Sequence, residues 1–281
     1  MLDSWRGQTA VLNQAKEKLD AELLDHPDSA WAYREYARYF IMSGATNSGN
    51  VLPEYLAHAD SSLQKALRLQ PNFSEAYVLG GHLYRLMGRP ADAKAALKKA
   101  EALGTNDPWL QNNWAAILAD EGNFKEAAKR YNRVLNGSDR NAKAVASARE
   151  GVIHCYLSTG QIDQADRAYR SAIAHEPRTA WAHGNYAAFL LCTRDDYDSS
   201  ILQSRKALSL MNYGQARAVL AAALYRKWAA QIESGQSAAA ATTYAEGESM
   251  DPSHPVAALA SMCGEGSALS AVLRATQASA R

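Results

Sequence analysis

A chain of 281 residues with 30 Lys plus Arg against 29 Asp plus Glu is close to neutral, which excludes the basic stripe that a nucleic-acid binder normally carries. Hydrophobic residues make up 47% and charged residues 21%, the balance of a soluble folded protein, and no apolar run approaches the ~18 residues of a membrane span. Abundant Ala with sparse Gly (17) and Pro (8) favours short, closely packed helices.

The first segment, Ser4–Asp25, reads as one long amphipathic helix. Trp5, Leu12, Ala15, Leu19 and Leu23 fall on one side, and Ser4 is its expected N-cap. Residues 1–27 are therefore expected to cap whatever follows. The opening stretch MLDSWRGQTAVLNQ has neither a basic n-region nor an apolar h-region, so it does not read as a signal peptide.

From about residue 30 a motif recurs roughly every 34 residues, around six times. Ser74–Asp107 is one copy and Pro108–Asn141 the next. A period of this length predicts stacked units that bury their apolar faces only against neighbours. Each unit holds two helical segments around a Gly-centred turn. In the second unit Tyr77, Gly80, Gly81 and Tyr84 line one helix, Gly88 breaks it, and Ala93, Leu97 and Ala100 line the other.

Small residues recur at equivalent places. Ala37, Gly81, Ala115, Ala187 and Ala222 share one position of the first helix, with Ile153 the exception. Ala59, Ala93, Ala127, Ala165, Ser200 and Ala240 share one position of the second. Ala66, Ala100, Ala172, Ala207 and Gly247 recur seven residues later, Val134 standing there in the third unit. Helices approach closely only where side chains are small. Leu63, Leu97, Tyr131, Tyr169 and Tyr244 are the larger plugs between them. Pro27, Pro71, Pro177 and Pro252 close second helices.

This arrangement of small, aromatic, Gly and Pro positions resembles the tetratricopeptide repeat, from about Ala30 to Pro252. The expected fold is all-α, a right-handed α-solenoid of antiparallel helix pairs. The units are placed at about 30–71, 74–107, 108–141, 146–179, 180–213 and 215–252, with capping helices over 253–281. The resemblance implies protein–protein interaction, with first helices lining a concave face and second helices a convex one.

Departures from the period mark further features. A polar insertion over Ala45–Glu54 reads as a solvated loop or a rim contact. A shorter insertion near Ala142–Val145 is expected between the third and fourth units. The first helix of the sixth unit is expected to run on through Trp228 to about Glu233, its extra turns projecting from the array and Trp228 either packed on the next helix or exposed as a contact surface. Pro255–Met262 and Ser267–Ala278 read as capping helices, with Ser267, Ser270, Arg274, Gln277 and Ser279 as their polar outer face.

Cys155, Cys192 and Cys263 are too scattered for a disulfide framework and read as small buried hydrophobes of a reducing compartment. With the missing signal this favours the cytoplasm, or the periplasm or exterior had a signal been removed. No phosphate loop, zinc spacing or nucleophile elbow is found. His154 and Cys155 point about 100° apart on a helix and form no catalytic pair. No enzyme, metal or cofactor is expected.

The expected binding surface is the unburied side of the first helices. Its candidates are Trp31, Arg34, Glu35 and Arg38, then Glu75, His82 and Arg85, then Trp109, Asn112, Asn113 and Asp120. Glu150 and His154 follow, then Trp181 and Asn185, and last Arg226 and Lys227. Arg34, Arg38 and Arg85 give the N-terminal half a local basic bias suited to carboxylates. Asn113 and Asn185 occupy equivalent places and, by the resemblance, could pair with an extended peptide's backbone. The set by which some family members clamp a carboxylate begins with Arg34 but fails at Leu79, Ser147 and Gly151. The three tryptophans sit near helix starts, either as hot spots or packed on the preceding unit.

The leading expectation is a non-catalytic adaptor whose concave groove takes a peptide segment of another protein, with no nucleic acid and no membrane insertion. The alternatives are a module that self-associates through its terminal helices and a ligand-responsive sensor.

Overall fold

The computed structural model describes residues 2–5, 7–46, 50–138 and 141–279. Among these the secondary structure is fifteen α-helices and one short 3-10 turn, with no strand beyond an isolated bridge between Ala45 and Val51. The fold is all-α, and consecutive helices pack in pairs. By contacts the chain divides into two compact units, residues 1–160 and 161–281.

The first unit opens with the 3-10 turn Leu2–Ser4 and continues with α1 (Thr9–Asp25). The single helix expected from Ser4 is therefore broken. The left-handed Gly7, at φ 98°, interrupts it, and Gln8, not Ser4, stands at the N-cap of α1. Three helix pairs follow: α2 (Ala30–Ser43) with α3 (Pro53–Leu69), α4 (Ser74–Leu86) with α5 (Pro90–Ala102), and α6 (Pro108–Asp120) with α7 (Phe124–Asn136). α8 (Ala142–Ser158) closes the unit. The insertion expected at Ala142–Val145 is instead the first turn of α8, because Asn141 caps it by accepting the Ala144 N–H at 3.0 Å. The loop expected over Ala45–Glu54 partly falls on residues 47–49, outside the described residues; α3 already begins at Pro53.

The pairs close where the repeated small residues lie. Ala37, Ala59, Ala66, Ala93, Ala100, Ala115 and Ala127 are fully inaccessible, as are the plugs Leu63 and Leu97. Fully burying one leucine is worth roughly 1.5–3 kcal/mol, and the plug recurs from pair to pair. Left-handed Gly88 and Gly122 end α4 and α6, with φ of 69° and 76°, a conformation glycine adopts without steric penalty. α2, α4, α6 and α8 each contact the next member of that series. They form one continuous face.

The second unit pairs α10 (Ala180–Arg194) with α11 (Tyr197–Leu210) and α12 (Gly214–Glu233) with α13 (Ser237–Met250); it also holds α9 (Ile162–His175), α14 (Pro255–Cys263) and α15 (Ser267–Ser279). Ser200, standing where the other second helices carry alanine, donates its hydroxyl to the Ala187 carbonyl at 2.8 Å. Its polar atom is thereby satisfied inside the interface. α12 runs to Glu233 as expected, but the extension does not project. Trp228 and Ala229 are buried in one cluster with Ala268, Val272 and Ala275 of α15, since an apolar helix face of that size needs a cover. Tyr244 meets the Trp228 ring edge-on at 5.4 Å. Ser267, Ser270, Arg274, Gln277 and Ser279 face solvent.

The cysteine reading is corrected. Cys192, near the end of α10, and Cys263, at the end of α14, form a disulfide across 71 residues, their Cα atoms 5.0 Å apart. Their separation in sequence hid a contact made by the capping helix folding back. Cys155 is free and buried as expected, and burial pushes its thiol up to about 11. No helix is long and apolar enough to cross a membrane among the described residues.

Candidate functional site

Inside the first unit, the face formed by α2, α4, α6 and α8 encloses a groove of about 880 Å³. Its walls are Arg34, Arg38, Ile41 and Met42 of α2 and Glu75, Val78, Leu79 and His82 of α4. Thr105–Asp107, Pro108, Trp109 and Asn113 come from the start of α6, and Asn141, Ala142 and Lys143 from the start of α8; Asp3 reaches in from the N-terminal turn. A volume of this size, with apolar patches between a few polar groups, falls within the range of small-molecule pockets.

Local structure positions each group. Glu35 is buried beneath Arg34 and Arg38 and binds both; its contact from Arg38 Nη1 is 2.8 Å. Burial works against the Arg38 charge, and Glu35 and Asp3 more than offset it, holding the guanidinium above its ordinary value. Glu35 thus supports the two arginines and does not itself line the groove. Asp107 caps α6 through the Trp109 N–H at 2.9 Å, which fixes the indole at the groove edge. His82 is pushed down to about 4 by burial and then by Arg85, so it offers a neutral imidazole near pH 7.

Six of the expected residues, Arg34, Arg38, Glu75, His82, Trp109 and Asn113, come together here. One of these six and several of the other expected residues serve the fold. Asn113 is buried, and its amide donates to the Val78 carbonyl at 2.9 Å; that donor is engaged within the helix stack and unavailable to a peptide. Asn112 donates to the Ala144 carbonyl at 2.9 Å and joins α6 to α8. Arg85 pairs with Asp120 at 3.0 Å, tying α4 to α6. His154 is exposed, its ring edge-on to Phe124 at 5.7 Å, and Glu150 is also exposed on α8. Trp31 is exposed on α2.

In the second unit Arg226 grips Asp195 with two bonds of 2.8 Å and lies over the Tyr197 ring. Lys227 pairs with Asp198 at 2.8 Å. Asn185 is exposed, and Trp181, about half exposed, meets the tilted Tyr213 ring at 4.3 Å.

Asp3, Thr105, Asn106, Asp107 and Lys143 were missed. Lys143 was hidden by reading its segment as an insertion; Asn141 followed by an Ala-rich run is a helix-start signal that places it on α8. Asp3 had no local signal, since only the folded chain brings it to the groove.

Comparison with known proteins agrees with this architecture. A tetratricopeptide repeat model matches residues 74–103. Human protein O-mannosyl-transferase TMTC3 is 25% identical over 182 residues, 63% of this chain, and the chain spans only 19% of that protein. PilW, a type IV pilus biogenesis factor, superposes with a TM-score of 0.57 at 14% identity, covering 87% of this chain and 98% of PilW. PilF of Pseudomonas aeruginosa gives 0.54 at 15%, covering 79% and 95%. These two share the fold alone. The second helix pair thus matches a tetratricopeptide repeat in sequence, and the fifteen helices share the fold of PilW and PilF.

Proposed function

We propose that this protein is a non-catalytic scaffold that binds an extended peptide segment of a partner protein in the groove of its first unit. The observation that carries this reading is the groove itself. Cationic Arg34, Arg38 and Lys143, the neutral His82 and the Trp109 indole surround an apolar floor of Ile41, Val78 and Leu79. Main-chain carbonyls and a carboxylate suit the cations, and alternate side chains suit the floor. Buried Glu35 holds two of the cations ready, which lowers the ordering required on binding. The Cys192–Cys263 bridge favours an oxidising compartment over the reducing one expected from the sequence.

The test is an array of immobilised peptides read with wild type and with Arg34→Glu/Trp109→Ala. Peptides that bind the wild type should lose at least about tenfold in affinity, or ~1.4 kcal/mol. Equal affinity for the two chains would discard the groove as the site.

A further inference from the structure

The chain's own N-terminal turn already engages two of the cations that line the groove of the first unit. Leu2–Trp5 borders the groove in a single turn closed by the Trp5 N–H on the Leu2 carbonyl at 3.2 Å. Lys143 Nζ donates to the carbonyl oxygens of Leu2 and Trp5, at 3.3 and 3.1 Å. Arg38 Nη2 holds the Asp3 carboxylate at 2.5 Å, and Leu2 is only 4% exposed. Arg38 belongs to α2 and Lys143 to α8, so side chains from both ends of the helix face hold the turn. A cation on a carboxylate, an ammonium on main-chain carbonyls and one apolar anchor are the contacts of a docked peptide.

The attachment is built to be given up. The Asp3 side chain remains 78% exposed, and solvent-facing ion pairs of this kind hold weakly. The left-handed Gly7, with nothing within 4 Å of where a Cβ would stand, separates the turn from α1. A tethered segment competes at a high effective concentration, so it excludes weak peptides and admits strong ones.

Taking the groove as a peptide site, as argued above, we propose that Leu2–Trp5 is its resident occupant. The partner is then a segment of like chemistry, an acidic residue between a leucine-like and a tryptophan-like side chain in the same turn, which binds by displacing the resident one. The charge balance supports this partner. When the segment leaves, Arg38 loses the Asp3 carboxylate and Lys143 loses the Leu2 and Trp5 carbonyls, and an incoming acidic segment can restore both sets of contacts.

The test uses the full chain and a fluorescent peptide of residues 2–8, followed by anisotropy. Asp3→Lys places a third cation beside Arg38 and Lys143, expelling the resident segment while leaving the groove intact. Leu2→Ser removes the anchor without adding charge. Both variants, with thermal melts like the wild type, should bind the peptide at least tenfold more tightly than the wild-type chain does. A peptide carrying Lys for Asp should bind none of them. Equal affinity for wild type and variants, or no binding to either variant, overturns the resident segment. Array peptides that bind wild type and Asp3→Lys alike, through Arg34, would overturn it while leaving the groove standing. Absence of any Arg34-dependent peptide would overturn both.

Discussion

Gly81 and Gly80 are neighbours on α4 with opposite surroundings. A Cβ at Gly81 would lie 2.2 Å from Cδ2 and 2.5 Å from Cγ of Leu97, whereas one at Gly80 would find its neighbours at 3.4 Å. Leu97 is fully buried, so its side chain has nowhere to retreat. Replacing a helical glycine by alanine gains about 1 kcal/mol of propensity, and overpacking a tight core costs about 1–3 kcal/mol. Gly81→Ala should therefore lower stability by roughly 1 kcal/mol, while Gly80→Ala should be neutral or raise it by up to about 1 kcal/mol. Urea unfolding of the two variants checks this; matching midpoints would refute the packing argument. The His82 ring gives a second test. Folded, it takes its proton only near pH 4, against an ordinary value of 6.5. Between those values the unfolded chain binds more protons, so stability is full above about pH 6.5 and falls as the pH drops toward 4. The slope from this one group is at most about 1.4 kcal/mol per pH unit. A His82→Asn variant should flatten that part of the curve, and an NMR titration of His82 near 6.5 would contradict the burial argument.

At the scale of elements, ion pairs about one repeat apart tie consecutive pairs: Arg85 with Asp120, Arg89 with Asp60 and Arg130 with Glu101 in the first unit, Arg194 with Asp163 and Arg226 with Asp195 in the second. Most face solvent and add little individually. Arg226 differs, being largely buried and bidentate, and Asp195 is the only left-handed residue other than glycine among those described. Its turn stands where other pairs use glycine, so the arginine holds a conformation the sequence does not favour. The disulfide acts on the same unit more strongly. It closes a 71-residue separation between α10 and α14, and a loop of that size is worth about 2–4 kcal/mol through the entropy it removes from the unfolded chain. A Cys192→Ser/Cys263→Ser variant, or the wild type in dithiothreitol, should melt earlier in proportion. An unchanged melt in reductant would show that the bridge is absent or contributes nothing.

At the scale of the whole molecule, the periodic positions were legible because they obey a local rule. Wherever two helices must close on each other, the residue there is small, and Ala37, Ala93 and Ala222 announce that in the sequence. The turn glycines were legible for the same reason. What stayed hidden was every feature made by residues distant in the chain: Asp3 on Arg38, Lys143 on the carbonyls of Leu2 and Trp5, Cys192 on Cys263. The surroundings of the expected surface residues were likewise hidden, since a polar residue on a first helix looks alike in sequence whether it meets solvent, as Asn185 does, or a neighbouring carbonyl, as Asn113 does. By itself the sequence determined helix pairs stacked in a row, because spacing, small residues and left-handed turns act within 34 residues or so. Only the tertiary structure decided where the first unit carries a groove, what borders it, and which polar groups are engaged, because those depend on contacts between residues far apart in the chain that no local pattern encodes.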